Sequence, residues 1–246
     1  MKAIYPLTHL TYKSQELELE GLILKPEGSG PFPTIIYIHG FNVIGGWDSI
    51  LMATYLVKDG YAVFLPSQMG FGNSKGERDY CGPKTVQGVF DGVQELLKEN
   101  YIDKTRLGIW GFSRGSNVTA SLISKHPQVF KAAVLQSGLY NFRKVLETTK
   151  DRQMASNMGN ESGNTEEAFS ERSAIEHTEN ITCPLLILHG GKDETYPIDQ
   201  TLEFERKLSE MNKEHTLKIY ADADHLIPRS SRREYVIPFF NKYLSN

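Results

Sequence analysis

Cysteine is almost absent from this chain, with Cys81 and Cys183 the only 2 in 246 residues. So few exclude a disulfide framework, and Cys183, directly before Pro184, reads as a buried strand residue. Charge of one sign is missing as well. With 27 Lys and Arg against 30 Asp and Glu, the formal net charge is −3, which gives no electrostatic footprint for nucleic acid or an anionic membrane. The one basic cluster, Arg229-Ser230-Ser231-Arg232-Arg233, reads as a solvated helix start. No apolar run approaches the roughly 18 residues of a membrane span. Met1-Lys2-Ala3-Ile4-Tyr5 leads into polar residues rather than a signal-peptide core. These absences lead to the expectation of a soluble, cytoplasmic protein. His and Cys are too scattered for a metal site. Gly70-Phe71-Gly72-Asn73-Ser74-Lys75-Gly76 places its last glycine one residue late for a dinucleotide loop. Gly190-Gly191-Lys192 lacks the remainder of a phosphate loop. The expectation is an enzyme without cofactor.

What is present is an alternation of strand and helix patterns. Strands are expected over 17–24, 34–38, 62–66, 106–110, 132–136, 184–189 and 216–220, with helices over 48–58, 84–99, 116–126, 199–211 and 232–243. Such alternation predicts one α/β domain spanning 1–246, built on a mostly parallel sheet with helices on both faces. The 17–24 run alternates like a half-exposed strand at an antiparallel edge. Residues 139–182 contain no strand, and their middle, 158–165, is very polar. A stretch of that length suggests a lid or insert, here a small, partly helical cap above the pocket, with an inert surface excursion as the rival reading.

The densest information lies at Gly111-Phe112-Ser113-Arg114-Gly115, directly after the apolar run 106–110. A G-x-S-x-G between a strand and a helix is a sharp turn that presents a serine hydroxyl at the sheet's edge. Elsewhere the same pentapeptide is only a glycine-rich turn. Context decides, because a serine nucleophile needs a base to take its proton and a third group to orient that base. Hydrolases with this elbow supply them in the order Ser, Asp/Glu, His. Downstream, Gly191-Lys192-Asp193 follows the 184–189 strand, and Ala221-Asp222-Ala223-Asp224-His225 follows the 216–220 strand. Both leave carboxyl ends of strands, where open parallel sheets place their sites. The expected triad is Ser113, Asp193 and His225. Asp222 and Asp224 are rivals for the acid, disfavoured because they share the histidine's own loop. His39 and His189 end strands and read as packing or supporting residues, and His9, His126, His177 and His215 as surface. Backbone N–H groups must also hold the developing oxyanion. Arg114, after the nucleophile, is one expected donor; Phe41, in the loop after the 34–38 strand, is the other, with Asn42 as fallback.

With these residues placed, the chain resembles the α/β-hydrolase superfamily. In detail it resembles the catalytic domain of prolyl-oligopeptidase-type serine peptidases and the single-domain carboxylesterases allied to them. The resemblance rests on His39-Gly40, the 72–76 loop, the stretch from Asp103 to Ser113, Phe130-Lys131-Ala132-Ala133-Val134, Glu171-Arg172-Ser173, Leu188-His189-Gly190-Gly191-Lys192-Asp193 with Pro197, and Asp224-His225. It implies the α/β-hydrolase fold and acyl-enzyme chemistry. Three departures favour esters over peptides. Those peptidases usually carry an N-terminal β-propeller, and about forty residues precede the His39 loop here. They usually have Tyr and a second Gly where this chain has Arg114 and Ser116, and an aspartate or tyrosine with an arginine where it has Ser67-Gln68-Met69. The expected function is a carboxylesterase acting on a small ester or short peptide. A peptidase or amidase is the alternative, followed by an acyltransferase and a non-catalytic binding protein on this scaffold. The oligomeric state is not legible.

Overall fold

The computed structural model describes residues 5–41 and 44–245. Eight strands form one sheet: β1 (Leu7–Ser14), β2 (Leu17–Leu24), β3 (Phe32–Ile38), β4 (Ala62–Pro66), β5 (Ile102–Phe112), β6 (Ala132–Gln136), β7 (Leu185–Gly190) and β8 (His215–Tyr220). Their spatial order is β1-β2-β4-β3-β5-β6-β7-β8. The β1–β2 and β2–β4 pairings are antiparallel and the rest are parallel. The mostly parallel sheet expected from the sequence is therefore present, with one further strand.

That strand, β1, corrects the reading of β2. β2 is buried from Leu19 to Leu24 rather than half-exposed: β1 pairs along its edge, while Leu19 and Ile23 pack into one core and Leu22 and Leu24 into the other. The exposed edge passes to β1, whose His9, Thr11 and Lys13 face water, the polar dressing that discourages edge-to-edge pairing.

The inner strands alternate their side chains between two cores. Ile36, Ile38, Phe64, Ile109, Ala133, Leu135 and Ile187 point into one. It is closed by α2 (Pro83–Leu96), α3 (Arg114–Lys125) and α7 (Ile198–Glu210). Ile35, Tyr37, Val63, Leu65, Trp110, Val134 and Leu186 point into the other, which is closed by α1 (Ile50–Lys58) and α8 (Ile237–Leu244). The closing segment is not one α-helix. A π turn over Arg232–Val236 precedes α8, because Pro238 has no N–H to give the carbonyl four residues back and the ladder must shift.

Between β6 and β7 the chain leaves the sheet. It forms α4 (Phe142–Thr148), α5 (Arg152–Ser162), α6 (Glu166–Glu171) and a 3₁₀ stretch over Ala174–Asn180. Each short helix is started by a side-chain cap. Asn141 accepts from the Lys144 N–H at 3.1 Å, Asp151 from Met154 at 2.9 Å and Thr165 from Ala168 at 3.2 Å. α5 ends at Gly163, whose φ of +82° closes the helix as only glycine does without strain. Met158, in the middle that reads as polar, is fully buried.

Candidate active site

The chain steps from β3 outward to β4, then returns to place β5 on the other side of β3. At such a switch point the loops at the two carboxyl ends part and leave a crevice. Ser113 stands there, at the end of β5, with φ +54° and ψ −124°. That backbone is costly for a residue with a β-carbon, on the order of 1–3 kcal/mol. It is held by the Ser113 N–H donating to the Gln136 carbonyl at 2.9 Å. The flanking glycines permit the turn: a β-carbon on Gly111 would collide with the Gly115 carbonyl, and one on Gly115 with the Ile38 carbonyl. The loop after β3 is equally close, since a β-carbon on Gly40 would lie 3.2 Å from that of Ser113.

Two loops from distant positions bring the other groups in. Gly191 N–H donates to the Tyr220 carbonyl at 2.8 Å and Lys192 N–H to the Ala223 carbonyl at 2.9 Å. Gly190 lies so near the Asp224 carbonyl that no side chain would fit. Thus joined, the loops place His225 between Asp193 and Ser113. Nδ1–H donates to Asp193 Oδ2 at 2.8 Å, and Nε2 accepts from the Ser113 hydroxyl at 2.8 Å. Asp193 Oδ1 accepts from the N–H groups of Thr195 and Tyr196 at 2.9 and 2.8 Å. Burial pushes the Asp193 carboxyl upward. The hydrogen bonds of His189 and His225 and the Tyr196 N–H outweigh it and hold the group well below the usual carboxylate range. It is therefore an anion, able only to accept, and that fixes the His225 tautomer. Asp222 pairs with Lys192 at 2.8 Å, and Asp224 accepts from the Leu226 N–H. Neither rival carboxylate bonds His225.

The two strand-ending histidines are buried and support the loops. His189 Nε2 lies 2.8 Å from the Tyr196 carbonyl and 3.3 Å from Asp193 Oδ2. His39 Nδ1 donates to the Gly40 carbonyl at 2.7 Å, and its Nε2 accepts from the Gln68 N–H at 3.0 Å. Burial first, then the nearby Arg114 and Arg78 charges, lower its pKa to about 4 against the pull of the Gly40 bond, so it is neutral at pH 7.

Of the expected oxyanion donors, Arg114 is the first residue of α3, where N–H groups have no intrahelical acceptor. Phe41 sits just beyond Gly40 with an exposed ring, and Asn42 lies outside the described residues. Phe41 and Trp47 are exposed, whereas Met69 and Phe71 are core. Sequence reasoning missed Gln68, Tyr196 and the side-chain role of Arg114. For Gln68 and Arg114 the one signal was the departure from the family pattern at Ser67-Gln68-Met69 and Arg114, and for Tyr196 there was none. Among the described residues, no cluster of His, Cys, Asp and Glu could hold a metal, and no helix is long and apolar enough to cross a membrane.

A strained serine on a strand-to-helix turn, in an eight-stranded sheet of this order, defines a serine hydrolase of the α/β-hydrolase fold. The chain belongs within that class to the prolyl oligopeptidase family, peptidase S9, whose profile matches residues 47–246. It is 29% identical over 249 residues to the uncharacterized peptidase YuxL of Bacillus subtilis (strain 168), covering 92% of this chain and 37% of that protein. With the acylamino-acid-releasing enzyme of Mus musculus it shares 26% identity, over 86% of this chain and 31% of the other. The chain thus spans about a third of the length of these two relatives. Among solved structures, an acylaminoacyl peptidase of Pyrococcus horikoshii superimposes with a TM-score of 0.83 at 23% identity, covering 100% of this chain and 43% of that one. The Pyrococcus furiosus esterase Pf2001 gives 0.76 at 19% identity, covering 98% and 94%. At these identities the two superpositions speak for the fold.

Proposed function

We propose that this serine hydrolase cleaves carboxylic esters through an acyl-enzyme on Ser113, without a cofactor. The observation that carries the reading is the unbroken chain of 2.8 Å hydrogen bonds from Ser113 Oγ through His225 to Asp193. Ser113 Oγ attacks the acyl carbon while its proton passes to His225 Nε2. Asp193 stabilises the imidazolium through Nδ1–H. The carbonyl oxygen, now an anion, is held by the Phe41 and Arg114 N–H groups. Collapse expels the alcohol, which takes the proton from Nε2, and water then repeats the sequence to free the acid. The helices of residues 139–182 form the cap that governs access, on a single domain of residues 1–246 that works in the cytoplasm.

Two departures from the peptidase pattern support esters over peptides. Gln68 and Arg114 are buried and bonded to protein groups, so they serve the scaffold rather than an extended chain. Family membership, with peptidases among the relatives, favours the second reading, a peptidase releasing an acylated amino acid. The test is turnover of p-nitrophenyl esters of rising acyl length beside N-acetylaminoacyl p-nitroanilides. Ester turnover with inert anilides is expected; anilide turnover at comparable kcat/KM carries the peptidase reading instead. Release of acid in water, without transfer to added alcohols, separates hydrolysis from acyl transfer.

A further inference from the structure

Three parts of the molecule converge on the Arg114 side chain, which is 1% exposed. Toward the loop after β3, its Nε donates to Gln68 Oε1 at 3.3 Å, and Gln68 Nε2 donates to the His39 carbonyl at 2.6 Å. Toward the acid loop, its guanidinium lies 4.6 Å from the Tyr80 ring centre. The Tyr80 hydroxyl meets that of Tyr196 at 2.9 Å, and Tyr196 N–H donates to Asp193. Toward the excursion between β6 and β7, Nη1 donates to Glu161 Oε2 at 2.8 Å, in the last turn of α5. Phe71, 4.9 Å from the guanidinium, completes the aromatic contacts.

The loop that wraps this arginine is strained. Tyr80 and Cys81 have φ of +41° and +62°, and the Cys81 thiol donates to the Arg114 carbonyl at 3.3 Å. Consecutive left-handed residues with side chains persist only where the surroundings over-determine them. A second arginine marks the contrast. Arg172, near the excursion's return, donates to the carbonyls of Asp79, Tyr80 and Ala168. That end is pinned mainly through neutral carbonyls, with the half-exposed Glu171 carboxylate no nearer than 4.0 Å. The end of α5 is held by a charge pair, and a buried cation that loses its anion is left at high cost.

We propose that the Arg114 side chain is a positioning residue that locks α5 to the catalytic loops, with Glu161 as its counter-charge. Seating the cap and ordering the loop after β3 are then one event. The proposal rests on the hydrolase reading above for its catalytic consequence, but the lock itself can be read without turnover.

The experiment compares Glu161→Gln, Glu161→Asp, Arg114→Gln and the double variant Arg114→Gln/Glu161→Gln in the full chain. Two quantities are read: the rate of trypsin cleavage after Lys150 and Arg152 under native conditions, and kcat and KM on p-nitrophenyl butyrate. Glu161→Gln should be cut about ten-fold faster and lose about ten-fold in kcat with a smaller change in KM, because opening of α5 is local and kcat follows the ordered site. Glu161→Asp, which keeps the charge, should recover part of both. The double variant should cost less than the two single changes combined, since no uncompensated charge remains. Wild-type proteolysis and kinetics in Glu161→Gln would overturn the lock, as would strictly additive single effects. If Arg114→Gln does not fold, the order wild type, Glu161→Asp, Glu161→Gln in proteolysis still decides. If the wild-type chain neither turns over ester nor reacts with a fluorophosphonate, the hydrolase reading fails while the proteolysis series judges the lock alone.

Discussion

Asp193→Asn isolates the contribution of one oxygen atom. In the protein, Oδ1 accepts from two backbone N–H groups and Oδ2 from the His225 ring. An asparagine must keep its carbonyl oxygen on the backbone side, because an NH₂ there would face two donors. Its NH₂ therefore points at His225 Nδ1, which can bond it only as an acceptor. The ring proton moves to Nε2, where it blocks receipt of the Ser113 proton. A wrong tautomer of this kind costs on the order of 10⁴ in kcat in a serine protease, or about 5 kcal/mol of transition-state stabilisation. The same NH₂ also meets His189 Nε2, 3.3 Å from the present Oδ2, so a modest loss of stability should accompany the kinetic one. Because Asp193 is held below its ordinary pKa, it contributes stability above the unfolded value of about 3.9 and loses it as pH falls through the folded value. The wild-type advantage over Asp193→Asn in thermal melts should therefore shrink below about pH 4. The assay is kcat on a p-nitrophenyl ester, with circular dichroism to verify folding. Asp222→Asn and Asp224→Asn serve as controls and should cost far less. Retention of wild-type kcat by Asp193→Asn, or a larger loss in either control, would refute the assignment of the acid.

Ser113→Ala should lower kcat by about 10⁶ and abolish fluorophosphonate labelling, located by mass spectrometry on the peptide carrying residue 113; undiminished labelling would point to another nucleophile. Gly115→Ala should force α3 away from the Ile38 carbonyl, costing about 3 kcal/mol and roughly 6–12 °C in Tm, as calorimetry would measure. Gly159→Ala, where an added β-carbon meets nothing within 4 Å, should instead stabilise by about 0.5–1 kcal/mol through helix propensity. Replacing residues 152–163 with a Gly-Ser linker should change kcat/KM unequally between short and long acyl esters while Ser113 labelling persists, because the proposed lid acts on access and specificity together; unchanged kcat/KM on every ester would mark the segment as inert.

The parts of this fold legible in the sequence are those with local causes. β4 and β6 occupy the expected 62–66 and 132–136, because short apolar runs between polar turns leave little choice of boundary. β1 was not seen: Thr8, His9, Thr11 and Lys13 leave it no apolar face long enough to show a period of two, and it is held by its pairing with β2. The helices of 139–182 were only half visible because α4 and α6 are a turn or two long. Their caps were nonetheless written in the chain as Asn141, Asp151 and Thr165, each three residues before a backbone N–H it satisfies. Ser113, His225 and Asp193 could be brought together on paper because all three leave carboxyl ends of strands. Nothing local announces that Arg114 pairs with Glu161, 47 residues away, since a charged residue in a polar stretch ordinarily faces water.

The closeness of Gly190 to the Asp224 carbonyl has a consequence for how this molecule can diversify. Two backbones that touch tolerate no insertion in either loop without separating acid from base, so the chemistry is fixed there at the level of main-chain geometry. The excursion between β6 and β7 begins and ends on neighbouring strands and can lengthen, shorten or change composition without altering that junction. If the excursion is the proposed lid, new substrates can be reached by rewriting it, provided the Arg114–Glu161 pair that ties it to the catalytic loops is kept.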